Sequence, residues 1–557
     1  MEPSTFDDDS EQAAENAVRF EFLEAKVEEL RAALEETGSD RSREPTERLE
    51  KKTEAAARLE TVLEEIESGV ARVDEIAGQV TALESAISDL AGGGAAPAPD
   101  GKVVASERGF DGDGSGGDVG AFVRENLGKE IHLDGDVYRL QSSIDVEPGD
   151  ADLVITGGGR LRVDHEDVDA AFRLGNWGEG ISTCVLEGLE IDLDGYDAGI
   201  GRFFVDDYLH NSDLVLRGRR DHYERRGDKY CYLSCITSPT GVGYNERIRI
   251  PDGDRWAGDN DNGHAIGIAS DPPHVGTQLW IDCFVREIWD NGFYIRNSPD
   301  GTNVLVSPRA ENCGRANVRL GARDVAIEPT SVWDMDPDSA HFPIADDDGV
   351  GGWGTLLASD GDGAMIVGGE AISRTGRNDV VRTWGGSGRF TMIGTEIVNE
   401  TDQWSIRTGV GSGGDDDRIA RFEGVTIRED SSASVRGAAV CSRRSRALFD
   451  SLSYVNEGDT QSRAFLEVDD DCSATVRDSH VESASDSVVR LRSSPDEIAF
   501  DGCELNGGID IGEGETIDVL ELDQCDMREC GEFWTGDGDA SAIEHFPYDS
   551  SPEALAE

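Results

Sequence analysis

The 557-residue chain has almost no lysine. Lys26, Lys51, Lys52, Lys102, Lys129 and Lys229 are all there are; the other 45 of its 51 basic residues are Arg, set against 115 acids for a formal charge of −64. A pI near 4.3 argues against a nucleic-acid partner, because neutralising phosphates takes clustered Lys and Arg. It argues equally against adsorption to anionic membranes. No stretch approaches the ~20 apolar residues of a membrane span, so membrane insertion is not expected. Met1–Ala13 lacks a basic segment followed by an apolar one, so no secretion signal is expected either. The ten cysteines show no Cys-x-x-Cys spacing, which excludes a zinc framework of that kind. Cys184, Cys283, Cys313, Cys472, Cys503 and Cys525 lie in strand-like stretches and read as small buried hydrophobes. The apolar share of 37% becomes about 47% once Gly is counted and Tyr left out, an ordinary globular value.

Abundant Asp and Glu with scarce Lys and many Gly resemble the proteins of salt-accumulating halophilic archaea. The physics agrees. In molar salt the Debye length falls to about 3 Å, so self-repulsion is screened while carboxylates keep the surface hydrated.

Residues 1–16 read as a disordered acidic arm. From Ala17 to Glu36 apolar residues recur at helical spacing (Leu23, Val27, Leu30, Leu34), until Gly38 and Pro45 break the pattern. A second helix is predicted from about Thr46 to Ala91. Leu59, Ile66, Val73, Val80 and Ile87 fall at heptad a; Val62, Ile76, Leu83 and Leu90 at d, with Gly69 the one poor d position. Region 17–91 therefore reads as an α-helical coiled coil, and its mixed Ile, Val and Leu seam favours three strands, hence a homotrimer. A Gly/Ala/Pro linker follows at 92–102.

Beyond it the period changes. Short apolar strands align on a small residue at Gly369, Gly394, Gly424, Ser451, Ser479, Gly502 and Gln524, spaced 25, 30, 27, 28, 23 and 22. Looser copies occur at Leu186-Glu187-Gly188 and Leu305-Val306-Ser307. Self-similarity at this length marks a solenoid. Leucine-rich spacing is absent, so a parallel β-helix over 103–530 is the better fit. Cys503 and Cys525 take one position in successive coils, as an internal ladder would. An excursion is expected near 205–262 and a C-terminal capping tail at 531–557.

Gly109-Phe110-Asp111-Gly112-Asp113-Gly114, Asp118, a short helix at Val119–Leu127, and the strands Ile131-His132-Leu133 and Val137-Tyr138-Arg139-Leu140 resemble the start of pectate-lyase-type right-handed β-helix proteins, phage tailspikes included. The resemblance implies that the helix caps the first coil. The Asp-rich turn loosely matches a calcium loop, but Ser115 and Phe122 stand at ligand positions, so no metal or other cofactor is expected.

Gly263-His264-Ala265-Ile266-Gly267-Ile268-Ala269-Ser270 and Asp290-Asn291-Gly292-Phe293-Tyr294-Ile295-Arg296 resemble two motifs of polygalacturonase-type glycoside hydrolases. The resemblance implies that His264 neighbours the catalytic carboxylates and that Arg296 binds a substrate carboxylate. That family's Asp pair, one coil earlier, is missing: Pro239-Thr240-Gly241-Val242-Gly243 stands there. Inversion at a sugar needs carboxyl groups about 6.5–9.5 Å apart. The candidates are Asp259, Asp261, Asp271 and Asp290; alternatively these are turns that β-helix stacking favours.

Two departures from the acidic background stand out. Arg217, Arg219, Arg220, Arg225, Arg226 and Lys229 interleave with His222, Tyr223, Tyr230 and Tyr232. Arg219, Arg220, Tyr223, Arg225 and Arg226 would suit an acidic sugar, or else pair with the protein's own carboxylates or a neighbouring subunit. Seven of nine tryptophans lie between 256 and 404. Trp256, Trp289 and Trp333 are the candidate sugar platforms, with core or intersubunit packing the alternative.

By architecture the chain resembles a trimeric tail fibre or spike of a virus of halophilic archaea. Its expected partners are a host surface glycan or glycoprotein and another virion protein at the N-terminal region. The expected location is the virion, or otherwise the cytoplasm of a halophile. The alternatives are a depolymerase of acidic polysaccharide, a hydrolase or lyase, and a non-viral structural solenoid.

Overall fold

The computed structural model describes residues 101–535 except 111, 222–229, 256–264, 296–299, 335–354, 359–362, 376–378, 385–387, 411–417, 430–437, 442–444, 457–463, 470, 492–494, 496, 511–518, 524 and 528–533. Contacts divide the chain into two units, Met1–Ala95 and Ala96–Glu557. The expected arm and coiled coil lie outside the described residues, as does the tail apart from Trp534–Thr535.

Alternating apolar residues in short runs give strands with one face for an axial core. They stack as three parallel ladders, each strand pairing with its counterparts one coil earlier and later. Ladder 1 begins at Lys102–Val104, passes through Thr277–Ile281 and reaches Val519–Asp523. Ladder 2 begins at Val137–Leu140, passes through Phe284–Arg286 and reaches Asp526–Met527. Ladder 3 begins at Ile144–Val146, passes through Asn291–Ile295 and reaches Trp534–Thr535. The chain is mainly β, a parallel β-solenoid.

From Gly188 onward one corner keeps its length. Ladder 1 hands over to ladder 2 through two residues, the first in the left-handed region: Gly188, Asp213, Arg247, Asp282, Ser307, Glu328, Gly368, Gly394, Gly424, Ser451, Asp478 and Gly502. Its N–H donates to a carbonyl one coil on, as Asp282 does to Val306 (3.0 Å) and Gly424 to Asp450 (2.9 Å). The side chains here project outward, so Asp, Ser or Gly all serve, at a modest backbone cost. The repeat anchors Gly394, Gly424, Ser451 and Gly502 sit at this position. Gly369 and Ser479 are one residue late, because Gly368 and Asp478 take the left-handed turn.

The expected excursion at 205–262 is largely part of the rod. Gly199–Ser212 is one continuous strand, shared between ladder 3 and ladder 1 with a register shift between Val205 and Tyr208, and Tyr230–Ile236, Val242–Glu246 and Arg249–Ile250 are regular rungs. The repeat is masked there because a corner is crossed without a turn.

The axial core holds a column of rings. Phe422 stacks on Phe449 (5.1 Å, 15°) and meets Phe390 edge-on (6.0 Å); Phe449 meets Phe465, which packs on Tyr454. Nearer the N-terminus the core carries a polar spine. Tyr232 Oη bonds Asn211 (2.6 Å) and Asn245; Asn245 donates to Gln278 (3.4 Å), Gln278 to Asn303 (3.4 Å) and Asn303 to Asp324 (3.0 Å), whose other oxygen accepts the Gly321 N–H (2.8 Å). All six side chains are buried. Among the described residues nine cysteines are free and eight of them buried; Cys503 and Cys525 are neighbours at the turn position, as the repeat implied.

Burial pushes the Asp324 carboxyl up to about 7, against the donors Asn303 and Gly321. A raised carboxyl contributes stability that is complete below its unfolded value near 4 and is lost as pH rises through 7. Asp324→Asn is expected to flatten that decline in urea unfolding between pH 4.5 and 8. An unchanged slope would assign it elsewhere.

The first coil is closed by helix α1, Val119–Arg124, as expected but shorter than Val119–Leu127. Asp118 caps it, accepting from Gly120 N (3.1 Å) and Ala121 N (3.3 Å), and also ties it to the coil by accepting from Gln141 N (2.9 Å) and Ser142 N (3.3 Å). Gly120 is required for this approach: a Cβ there would lie 2.4 Å from the Ser142 carbonyl oxygen. Burial raises the Asp118 pKa, but the Ser142 hydroxyl and the backbone donors outweigh it and hold it below the usual range. Its contribution is therefore present above pH 4 and lost as pH falls through that lowered value. Asp118→Ala is expected to cost about 1–2 kcal/mol at neutral pH and less in acid, read by urea unfolding.

Candidate functional site

Successive residues on a strand face opposite ways. In ladder 3, Val381, Ile406, Ala439 and Leu466 enter the axial core, so the next residue of each strand faces out. Following that outward row from coil to coil gives Asp145, Arg173, Arg202, Leu233, Ala269, Tyr294, Arg319, Leu357, Arg382, Arg407, Val440, Glu467 and Arg490. Neighbours are about 4.8 Å apart. Six arginines on one row is a concentration opposite to the chain's acidic composition.

The middle of the row is apolar. Leu233, Ala269 and Tyr294 join Phe204, Tyr230, Cys235 and Ile266 in a second buried cluster, separate from the axial core. At its edge the Arg319 guanidinium lies 5.1 Å over the Tyr294 ring. Further along, arginine alternates with aromatic and acid. Arg382 lies over Trp384 (5.3 Å) and Arg407 over Trp404 (4.5 Å). Asp379 Oδ2 is 3.7 Å from both Arg382 Nε and Arg407 Nη1. Trp404 Nε1 donates to Glu467 Oε2 (3.3 Å), and Glu467 Oε1 is 3.7 Å from Arg490. Asp379 and Glu467 are 4% and 1% exposed, while Arg407 and Arg490 keep 28% and 26% of their side chains in solvent.

The corners on either side of ladder 3 vary in length, whereas the corner between ladders 1 and 2 is constant from Gly188 onward. Residues 334–355 separate two strands in one coil, 400–405 in another. Insertions thus collect beside this face, as binding loops do on a rigid scaffold.

The sequence candidates fall in several places. Trp256, Asp259, Asp261, His264, Arg296, Tyr223, Arg225 and Arg226 lie outside the described residues. Trp289 and Trp333 are buried in the axial core cluster, so the packing alternative holds for them and the platform does not. Trp384 and Trp404 stack on arginines instead. The sequence carries that signal as Arg382-Thr383-Trp384, where alternate residues of a strand share a face.

Arg220 is not a surface cation. Its side chain is fully buried, with Nε 3.0 Å from Asp197 Oδ1 and Nη1 3.4 Å from Cys231 Sγ. Arg220 and Asp254 face each other in a two-stranded parallel pairing, Arg219 Nε donates to the Asp254 carbonyl (2.9 Å), and Asp254 Oδ1 accepts the Trp289 N–H (2.9 Å). Burial raises the Asp254 carboxyl to about 8, with Arg220 and the Trp289 N–H pulling it down. Local ion pairing, the alternative reading of the Arg-rich stretch, describes Arg220.

Asp271 and Asp290 are not brought together. Asp290 N–H donates to Ala265 O (3.0 Å), which places it at the opening of strand Ile266–Ser270, whereas Asp271 follows its close. Six residues at ~3.3 Å put these levels about 20 Å apart, too far for an inverting pair. Asp271 accepts from the Tyr230 hydroxyl. Asp290 accepts from Asn291 Nδ2 (2.5 Å) and lies 3.7 Å from Arg315 Nη1. His274, which drew no attention in the sequence, is a structural pin: Nδ1 accepts the Ile236 N–H (3.1 Å), Nε2 lies 3.2 Å from Thr302 O, and burial lowers it to about 4. It is neutral at pH 7.

No protein-family description and no curated protein matches the chain. Two solved phage tailspikes are similar to it. One is the enzymatically active domain of tailspike protein 2 of bacteriophage CBA120, at 12% identity and TM-score 0.31, covering 66% of this chain and 46% of that one. The other is tailspike gp42 of Acinetobacter phage vb_AbaP_AS12, at 11% identity and TM-score 0.30, covering 81% and 66%. The chain thus spans less than half the length of the first.

Proposed function

We propose that the chain is a virion fibre or spike, right-handed in its winding and trimeric through residues 17–91, whose ladder 3 face binds an anionic host-surface glycan in high salt. The observation that carries this reading is the outward row of six arginines, three of them stacked on Tyr294, Trp384 and Trp404. Acid-rich, lysine-poor composition supports a host that accumulates salt. Under those conditions long-range attraction is screened within about 3 Å. Recognition then rests on direct guanidinium–carboxylate or guanidinium–sulfate contacts, from arginines such as Arg407 and Arg490 that stay partly in solvent.

Capture of intact halophilic cells in molar salt, with and without enzymatic removal of surface glycans, tests the reading. Arg407→Ala is expected to weaken capture by about tenfold or more. Capture that survives deglycosylation would reject glycan recognition, and a monomer in light scattering would reject the trimer.

A depolymerase is the second reading, favoured by the carboxylates Asp379 and Glu467 buried among arginine and tryptophan, and by Asp290 beside Arg315. Asp290 stands at the strand end nearest Asp259, Asp261 and His264 in sequence. New reducing ends or unsaturated sugars from host glycan would support it. Full activity in Asp259→Asn, Asp261→Asn, Asp290→Asn, Asp379→Asn and Glu467→Gln alike would remove these residues from the chemistry.

A further inference from the structure

Among the described residues one large hydrophobic side chain is exposed, Trp177, with 61% of its surface in solvent. It lies at the corner between ladder 3 and ladder 1, four residues beyond Arg173 of the arginine row. Its position is fixed. Asn176 and Glu179 exchange two backbone hydrogen bonds (2.8 and 3.0 Å) around Trp177 and Gly178, and Gly178 takes the left-handed conformation that the turn needs (φ 88°). The ring meets Phe204 in a T-shaped contact at 5.8 Å, and the rest of the indole is open to solvent.

Three coils place polar groups around this corner. Glu147, from the coil before, accepts from Asn176 Nδ2 (3.1 Å). Asp206, from the coil after, accepts from Gly180 N (3.2 Å) and the Thr237 hydroxyl (2.5 Å). Asp207 accepts from the Ser182 hydroxyl (2.7 Å) and is itself exposed. Each carboxylate is oriented by a donor yet keeps acceptor capacity for further hydroxyls.

We infer that Trp177, with Asp206 and Asp207, forms a second sugar subsite that takes a neutral or N-acetylated pyranose and rejects a uronate. An exposed indole face fits the C–H side of a pyranose, and fixed carboxylates accept its equatorial hydroxyls. The same carboxylates repel an anionic sugar at contact range, even in strong salt. The inference rests on the glycan-recognition reading and adds to it a site of opposite charge preference from the arginine row.

The test uses the full chain in molar KCl, with methyl glucoside, N-acetylglucosamine and glucuronate as probes in saturation-transfer NMR. Transfer to the two neutral sugars is expected, with glucuronate about three- to tenfold weaker, and Trp177→Ala is expected to lose about three- to tenfold while Trp177→Phe keeps part of the signal. Asp207→Asn is expected to narrow the gap between glucuronate and methyl glucoside. Unchanged transfer in Trp177→Ala, or glucuronate equal to the neutral sugars in the wild type, overturns the subsite. So does a fall in oligomer mass in Trp177→Ala, because the ring would then be a subunit contact. Cell capture measured in parallel separates the two ideas: glycan-dependent capture with no Trp177 effect rejects the subsite alone, whereas glycan-independent capture rejects the broader reading.

Discussion

Phe422→Ala is expected to destabilise the rod by about 3–5 kcal/mol. Phe422 is fully buried and lies between two other rings, stacked on Phe449 at 5.1 Å and edge-on to Phe390 at 6.0 Å. Truncation removes its transfer energy and both ring contacts, and the stacked coils on either side cannot close the gap, because their backbone spacing is fixed by the ladders. Since each coil touches only its neighbours, the damage is local. Amide exchange should therefore quicken first in the strands Phe390–Ile393, Arg418–Glu423 and Ser445–Asp450, before the coils near Asn211 respond. Uniform acceleration along the chain, or a loss below about 1 kcal/mol in urea unfolding, would show that the column is not a packed unit.

Arg220→Met should cost a similar amount, about 3–5 kcal/mol, for a different reason. Methionine fills much of the volume but leaves Asp197 and Asp254 without the buried guanidinium they face. Asp254 already has its carboxyl raised to about 8 by burial, with Arg220 among the groups pulling it down. Removing Arg220 raises it further. A raised carboxyl is stabilising below its unfolded value and loses that contribution as pH rises through the folded one. The penalty of Arg220→Met should therefore be flat up to about pH 7 and grow as pH rises through about 8, and adding Asp254→Asn should recover part of it at the alkaline end. A penalty that is flat with pH would separate Asp254 from Arg220.

How far the sequence could be read depended on which corner was in view. The two-residue turn between ladders 1 and 2 leaves a visible small residue at Gly394, Gly424, Ser451 and Gly502, and that was enough to find the solenoid. It was ambiguous by one residue at Gly368-Gly369 and Asp478-Ser479, where both neighbours are small. It vanished at Gly199–Ser212, where a strand passes from ladder 3 to ladder 1 without a turn. The arginine row was illegible for a stronger reason. Arg173, Arg202, Arg319, Arg382, Arg407 and Arg490 share a face only through ladder register, and the coil lengths between them vary too widely for any fixed spacing to show it. Trp289 and Trp333 misled because a turn-like context, Trp followed by Asp, does not report which way the ring points.

The polar spine has a consequence for how the chain assembles. A solenoid of similar rungs is exposed to a particular error, pairing a strand with the rung one place too early or too late, because apolar rungs are nearly interchangeable. Asn211, Asn245, Gln278, Asn303 and Asp324 are not interchangeable: each matches the length and polarity of its own neighbour. A slip by one rung would strand several amides in an apolar axis, at about 1–3 kcal/mol for each unsatisfied group. The spine works as the wards of a lock do, costing little when the coils are in order and obstructing every other alignment.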